Sequence, residues 1–362
     1  METKPQDYSD LAIPPGEYLL EAASEKGLTQ SDLARRMGRP EQKINEIVKG
    51  SKAITPETAL QLEQVLGVPA HIWTGLEADY QLIRARQRAQ QHIEREATDI
   101  KRFPYAEMAS HGWVEPTRKA TARVRELRRF FGVASLENLA DVKSYAPAFR
   151  KRDRQQLSQE ALAAWLRAGT LQAHRIDTEP YDKKVLKALL PELRRLTLKG
   201  PDQFERELHQ RLAAVGVALV LLPHLSKTYT HGATFWISSR KAVLMMSIRG
   251  RWADVFWFSL FHELAHILLH DKRQIFLEDG AHETNAKECE ADEFASNTLI
   301  PKTPYRKFVS GGRFGAEAIR AFAQQIEIAP GIVTGRLQHD GHLGYTVHEF
   351  RERYQWTESE KP

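Results

Sequence analysis

The chain has 362 residues, of which 42% are hydrophobic and 27% charged, with a formal net charge of +5. That length asks for two or three domains, and the composition is ordinary for a chain that buries a core. Cys289 is the single cysteine, which excludes both an intrachain disulfide framework and a cysteine-built zinc cage.

The opening METKPQDYSD has no basic-then-apolar leader. No apolar run reaches the roughly 18 residues that a membrane helix needs. The expectation is a cytoplasmic protein without a membrane partner, and the basic excess permits nucleic-acid binding without establishing it.

The first elements are short helices with clear punctuation. PPGEYLLEAASEKG carries apolar residues at helical spacing and a glycine stop. LTQSDLARRMG opens with Thr29 as N-cap and Asp32 three places on, an acidic form of the capping box. RPEQKINEIVKG follows after a very tight turn, with Pro40 expected at the first helical position and Ile44, Ile47 and Val48 facing inward. ITPETALQLEQVLG repeats the pattern, with Thr55 as cap and Pro56 after it. Two short helices joined by a turn of three or four residues containing Gly38 make a helix-turn-helix. Periodicity alone would equally suit a plain helical bundle with a solvated polar face.

In a helix-turn-helix the second helix enters the major groove by its N-terminal outward residues. Here these are Glu41, Gln42, Lys43 and Asn45, types able to read base edges. Gln30 and Ser31 would face the phosphate backbone, as would Lys49 and Lys52. The run LTQSDLARRMGRPEQKINEIVKGSKAITPETALQLEQVLGVPAHIWTGLEADYQ closely resembles the XRE-type helix-turn-helix of HigA-like antitoxins, over about residues 12–84. The resemblance implies recognition of double-stranded operator DNA, usually by a homodimer on a palindromic site. Glu41 departs from it, since such domains often carry a polar or basic residue there.

Residues 85–180 read as helical, rich in arginine and glutamine, with no chemical motif. RKATARVRELRR and FRKRDRQQ are read as solvated faces rather than nucleic-acid contacts.

The most informative stretch is FSLFHELAHILLH, residues 258–270. On a helix, Ser259, His262, Glu263, His266 and His270 share one stripe, while large apolar residues fill the rest. Such a helix is buried on most sides, and ionisable groups in that setting need partners or a metal. His262 and His266, one turn apart, can converge on one zinc ion, with Glu263 placed beside it as general base. A catalytic zinc takes a third protein ligand from another element. NAKECEADEFASNTLIP supplies two candidates. Glu288 shares a small-residue face with Ala291, Asp292, Ala295 and Leu299. Glu290 falls on the opposite side with Glu293 and Asn297, which reads as solvated surface. Glu288 is therefore the expected ligand, and Asp292 is placed to hold a histidine by its other ring nitrogen. Cys289 is expected to pack quietly as a small apolar residue.

His-Glu-x-x-His followed by Glu-x-x-Ala-Asp-x-Phe-Ala resembles the ImmA/IrrE family of zinc metallopeptidases, over roughly residues 185–305. The strand-like VALVLL, ATFWIS and KAVLMMSI that precede the motif belong to the same pattern. The resemblance implies a zincin-like fold and cleavage of a peptide bond in a partner, often a helix-turn-helix repressor. It gives His262, His266 and Glu288 the zinc and Glu263 the base. Asp292 would support a histidine.

A donor for the developing oxyanion is also needed. His231, His270, His339, His342, Tyr305 and Tyr345 qualify by type, although a packing or surface role suits each of them. The strand AVLMMSI could take up a substrate segment by β-addition if it lies at a sheet edge.

The expected fold is α+β, mostly α. A five-helix DNA-binding domain over residues 1–84 precedes a helical region over 85–180. A zinc metallopeptidase domain with a small sheet follows over 181–362. The function expected is a repressor or antitoxin-like transcriptional regulator whose zinc endopeptidase cuts a partner regulator, a toxin or itself. One rival is a HigA-like repressor whose zinc-site domain is a non-cleaving sensor or toxin-binding module. Another is a metal-dependent hydrolase acting on something other than a peptide.

Overall fold

A computed structural model of the chain describes residues 11–146, 148, 157–271, 275–278 and 286–356. FRKRDRQQ, residues 149–156, lies outside them. The fold is mostly helical with one small sheet, as the patterning predicts, and it divides into two compact units, Met1–Thr98 and Asp99–Pro362. Among the described residues no helix is long and apolar enough to cross a membrane.

The first unit holds α1 (Pro15–Glu25), α2 (Gln30–Arg36), α3 (Glu41–Val48), α4 (Pro56–Leu66) and α5 (Ala70–Thr98). Its capping chemistry is local. Thr29 Oγ1 accepts from Asp32 N at 3.1 Å while Thr29 N donates back to Asp32 Oδ2 at 3.2 Å, a reciprocal box. Thr55 Oγ1 accepts from Thr58 N at 3.3 Å and Pro56 begins α4. Pro40 is the N-cap of α3 rather than its first residue, because its extended backbone (ψ 141°) ends the turn before the helix begins. Leu19, Leu33, Ile44, Ile47, Leu62 and Trp73 form the core from all five helices. The helix-turn-helix is thus α2, the turn through Gly38, and α3. The fifth helix runs on to Thr98, so part of the expected middle region continues this unit.

The rest of that middle region belongs to the second unit, with α6 (Tyr105–Ser110), α7 (Ala120–Phe131) and α8 (Gln159–Arg175). On α7, Val124, Leu127, Phe130 and Phe131 are buried while Arg125 and Arg129 are exposed, a solvated basic face as expected. Next come α9 (Lys183–Arg195) and α10 (Pro201–Ala213), then strands β1 (Val217–Leu221), β2 (Gly232–Ser238) and β3 (Lys241–Met246). The histidine helix is α11 (Ala253–Leu269), followed by β4 (Phe276–Glu278), α12 (Ala286–Leu299), α13 (Lys302–Ser310), α14 (Ala316–Gln325) and α15 (Pro330–His339).

The sheet order is β1-β3-β2-β4, with β1 parallel to β3 and the other pairs antiparallel. Side chains alternate across a strand, so Val217, Leu219, Ala242, Leu244 and Met246 share one face and join the core around α11. The opposite face meets α8. A Cβ on Gly169 of α8 would stand 2.0 Å from the Met245 methyl, so the glycine makes room for that side chain. Helices on both faces explain why these strands read as unbroken apolar runs. β3 is paired on both sides, so the condition set for β-addition at AVLMMSI, a place at the sheet edge, is not met.

Candidate metal centre and nucleic-acid interface

The histidine helix is held at its start by the segment around residues 351–354. Asp254, in the first turn, receives a bidentate Arg351 at 2.8–3.1 Å with both side chains largely buried. Burial raises the Asp254 carboxyl, and Arg351 works against that rise. Trp257 Nε1 donates to the Tyr354 hydroxyl at 2.9 Å, and Ala253 N to Glu352 O at 3.0 Å. Phe256, Leu260, Phe261, Leu264, Ile267 and Leu268 fill the core around the helix. Only the polar stripe is left to face inward on polar partners, and Ser259, His262, Glu263 and His266 are all buried there.

Three donor atoms converge on this stripe. One ligand atom each from His262, His266 and Glu288 lie mutually within 4.8 Å. His262 Nε2 is 2.9 Å from His266 Nε2 and 3.1 Å from Glu288 Oε2, while His266 Nε2 is 3.4 Å from the same oxygen. Glu288 reaches across because α12 packs by the small line Ala291, Ala295 and Leu299, all buried. On the same side of α12, Asp292 Oδ1 lies 2.8 Å from His262 Nδ1. A carboxylate is an acceptor, so that contact puts a proton on His262 Nδ1, and in the neutral ring Nε2 then offers the lone pair. Burial lowers the His266 imidazole pKa against the opposing pull of Glu288, favouring the neutral ring. Burial also opposes ionisation of Glu288, but its contacts with His262 and His266 outweigh this and hold the carboxyl far below the usual range. Two imidazoles and a carboxylate gathered in one largely buried place fit a divalent cation of the zinc type.

Glu263 lies between the two histidines and is 0% exposed. Its space is made by Gly232 at the start of β2, where an added Cβ would stand 2.8 Å from Glu263 Cγ and Oε1. Two residues on, Thr234 Oγ1 donates to Glu263 O at 3.3 Å. Sequence reading missed Gly232, because the contact links residues far apart in the chain and glycine itself carries no chemical signal.

Other readings change. Glu290 is exposed as expected, yet its Oε2 lies 3.3 Å from His270 Nε2. Cys289 is exposed rather than packed, since α12 buries only its alanine and leucine line. Of the residues considered as oxyanion donors, His270 touches His266, with the Nδ1 atoms 2.8 Å apart. Tyr305 instead donates to Asp340 at 2.7 Å, His339 faces Asp340 at 3.0 Å, and Tyr345 is 67% exposed. His342 lies against Phe314 with the rings tilted by 37° and their centroids 5.5 Å apart. His231 precedes Gly232 in the chain, and its carbonyl accepts from Ser247 N at 2.8 Å.

In the first unit, Glu41, Gln42 and Lys49 are exposed, while Gln30, Ser31, Lys43, Asn45 and Lys52 are half-buried. Gln42 donates to Glu46 Oε1 at 3.0 Å and Lys43 to Glu46 Oε2 at 3.1 Å, so Glu46 engages two of the expected reading residues. Lys43 in turn holds the Glu46 carboxyl below its ordinary value.

A family model for the helix-turn-helix matches residues 19–73. Virulence-associated protein I of Dichelobacter nodosus is 38% identical over 77 residues, which are 21% of this chain and 71% of that protein. The chain belongs to the helix-turn-helix family. A peptidase family model described as the IrrE N-terminal-like domain matches residues 223–332, a span that contains both histidines and Glu288. The chain therefore joins an XRE-type DNA-binding domain to a metallopeptidase-like domain. Two solved structures are also similar. One is an addiction module antidote protein of the HigA family from Coxiella burnetii, 29% identical, covering 24% of this chain and 94% of its own, with a TM-score of 0.22. The other is an antidote protein of a plasmid maintenance system from Nostoc punctiforme, 26% identical, covering 23% and 91%, with a TM-score of 0.22.

The contact at Gly232 yields a prediction. Gly232→Ala is expected to destabilise the chain by about 1–3 kcal/mol through overpacking. Combining it with Glu263→Ala should remove most of that cost, as read from a denaturant double-mutant cycle. Additive losses would show that the two positions do not compete for the same space.

Proposed function

We propose that this chain is a DNA-binding regulator whose second unit is a zinc endopeptidase that cuts a partner regulator or the chain itself. The observation that carries the proposal is the convergence of His262, His266 and Glu288 on one place, with Glu263 on the same helix between the two histidines. When bound, a zinc ion supplies a Lewis acid for the scissile carbonyl and makes water acidic enough to react near neutral pH. Glu263 accepts a proton from the attacking water and passes it to the leaving amine as the C–N bond breaks. Asp292 holds the His262 ring in the orientation a ligand needs, and Gly232 keeps the space that Glu263 occupies.

The first unit places this chemistry at an operator, bound by a homodimer through α3. Glu41, Gln42, Lys43 and Asn45 read bases, while Gln30, Ser31, Lys49 and Lys52 hold phosphates. An antitoxin-like role in autoregulation agrees with the antidote proteins to which this unit is similar. One observation favours a second reading. Glu263 is 0% exposed, as it would be in a domain that serves as a non-cleaving sensor or toxin-binding module.

Two experiments test the proposal. The zinc-loaded full chain, incubated with the repressors and toxins encoded beside it, is expected to cut one of them or itself. Chelator should stop the reaction, and Glu263→Gln should slow it by about 10²–10⁴-fold. Cleavage at the wild-type rate by Glu263→Gln would contradict the assigned base, and no cleavage by the wild type would favour the sensor. For the DNA half, Lys49→Ala and Lys52→Ala should each weaken binding to the chain's own promoter and to unrelated DNA alike. Each should also reduce the salt slope by about 1. An unchanged slope would remove these lysines from the phosphate contacts.

A further inference from the structure

Behind His266 runs a chain of contacts that leads to Glu290 on α12. His266 Nδ1 and His270 Nδ1 are 2.8 Å apart, and His270 Nε2 lies 3.3 Å from Glu290 Oε2. Two facing imidazole nitrogens form a hydrogen bond only if one carries a proton and the other a lone pair. The Glu290 side chain is 58% exposed, and an ionised carboxylate can only accept. His270 therefore presents Nε2–H to Glu290, and in its neutral form the ring keeps Nδ1 as acceptor. His266 must then carry its own proton on Nδ1, which turns the lone pair of Nε2 toward His262 and Glu288.

The surroundings hold this arrangement. His270 caps the C-terminus of α11, with a side chain only 3% exposed. Phe276 stacks on His266 with ring centroids 4.1 Å apart and lies 5.2 Å from His270, so one aromatic wall flanks both imidazoles. The result parallels the other histidine: α12 fixes His262 directly through Asp292 and His266 indirectly through Glu290 and His270.

We propose that His270, oriented by Glu290, is the positioning residue that fixes the metal-binding tautomer of His266. This inference rests on the reading of His262, His266 and Glu288 as a metal site, and it concerns affinity rather than the chemical step. A ligand histidine whose other nitrogen loses its partner typically costs a site 10–100-fold in affinity, by about the same factor for many outer contacts.

The test is a titration of the full chain with Co²⁺, read by visible absorption, which needs no substrate and reports coordination as well as affinity. His270→Phe keeps a flat ring but offers no acceptor, and it should weaken Co²⁺ binding by about 10–100-fold. His270→Gln can still accept from His266 and should recover most of that loss with a wild-type spectrum. Glu290→Ala leaves the buried ring in place and should weaken binding less than His270→Phe does. If His270→Phe fails to fold, the Glu290→Ala and His270→Gln measurements decide. Wild-type affinity in His270→Phe, or a His270→Gln site as weak as the Phe variant, overturns the relay. So does Glu290→Ala at wild-type affinity should the Phe variant not fold. A wild-type chain that binds no Co²⁺ overturns the site and the relay together, whereas binding lost in Glu288→Gln but kept in His270→Phe overturns the relay alone.

Discussion

Three possible ligand atoms gathered in one largely buried place are the constraint on which the second unit depends. His262 Nε2, His266 Nε2 and Glu288 Oε2 lie 2.9–3.4 Å from one another, close enough that bare acceptors would repel unless a proton or a cation stood among them. Polar groups so placed are costly to bury without compensation. The surrounding structure works to keep them there. Apolar side chains around the other faces of α11 turn the polar stripe inward, and the alanine line of α12 lets a carboxylate approach from a separate helix.

The supports extend well beyond the stripe. Arg351 and Tyr354 pin the start of α11 from a segment about a hundred residues downstream in sequence, through Asp254 and Trp257. The sheet, covered by α8 on one face, presents Gly232 at the one place where Glu263 needs room. Two units with separate cores then divide the work, one carrying a helix-turn-helix and the other the metallopeptidase-like domain.

What could be read from sequence was whatever repeats locally. Thr29 and Asp32 announce α2 because both partners of the capping box lie within one turn. The His262–His266 stripe is legible because helical spacing alone brings i and i+4 together. Glu288 could be preferred over Glu290 because the small residues around it mark a packing face, which α12 indeed buries. Contacts between distant segments gave no such signal. Nothing local in Gly232, Gly169 or Arg351 announces the side chains they meet, and α8 has no chemical motif because its task is to cover a sheet. The same limit left the place of AVLMMSI open, since an apolar strand looks alike at an edge and in the middle of a sheet. Glu290 shows a subtler case: it is exposed, as its face predicts, and still lies beside His270.

The account stands or falls on whether those three side chains share one ion. X-ray absorption at the zinc edge of the full chain, loaded with one equivalent of zinc, addresses this directly. The prediction is a single ordered site with two imidazole nitrogens and carboxylate oxygen, at about 2.0–2.2 Å, that is lost in Glu288→Ala. Zinc that does not bind stoichiometrically, or a spectrum unchanged by Glu288→Ala, would contradict it.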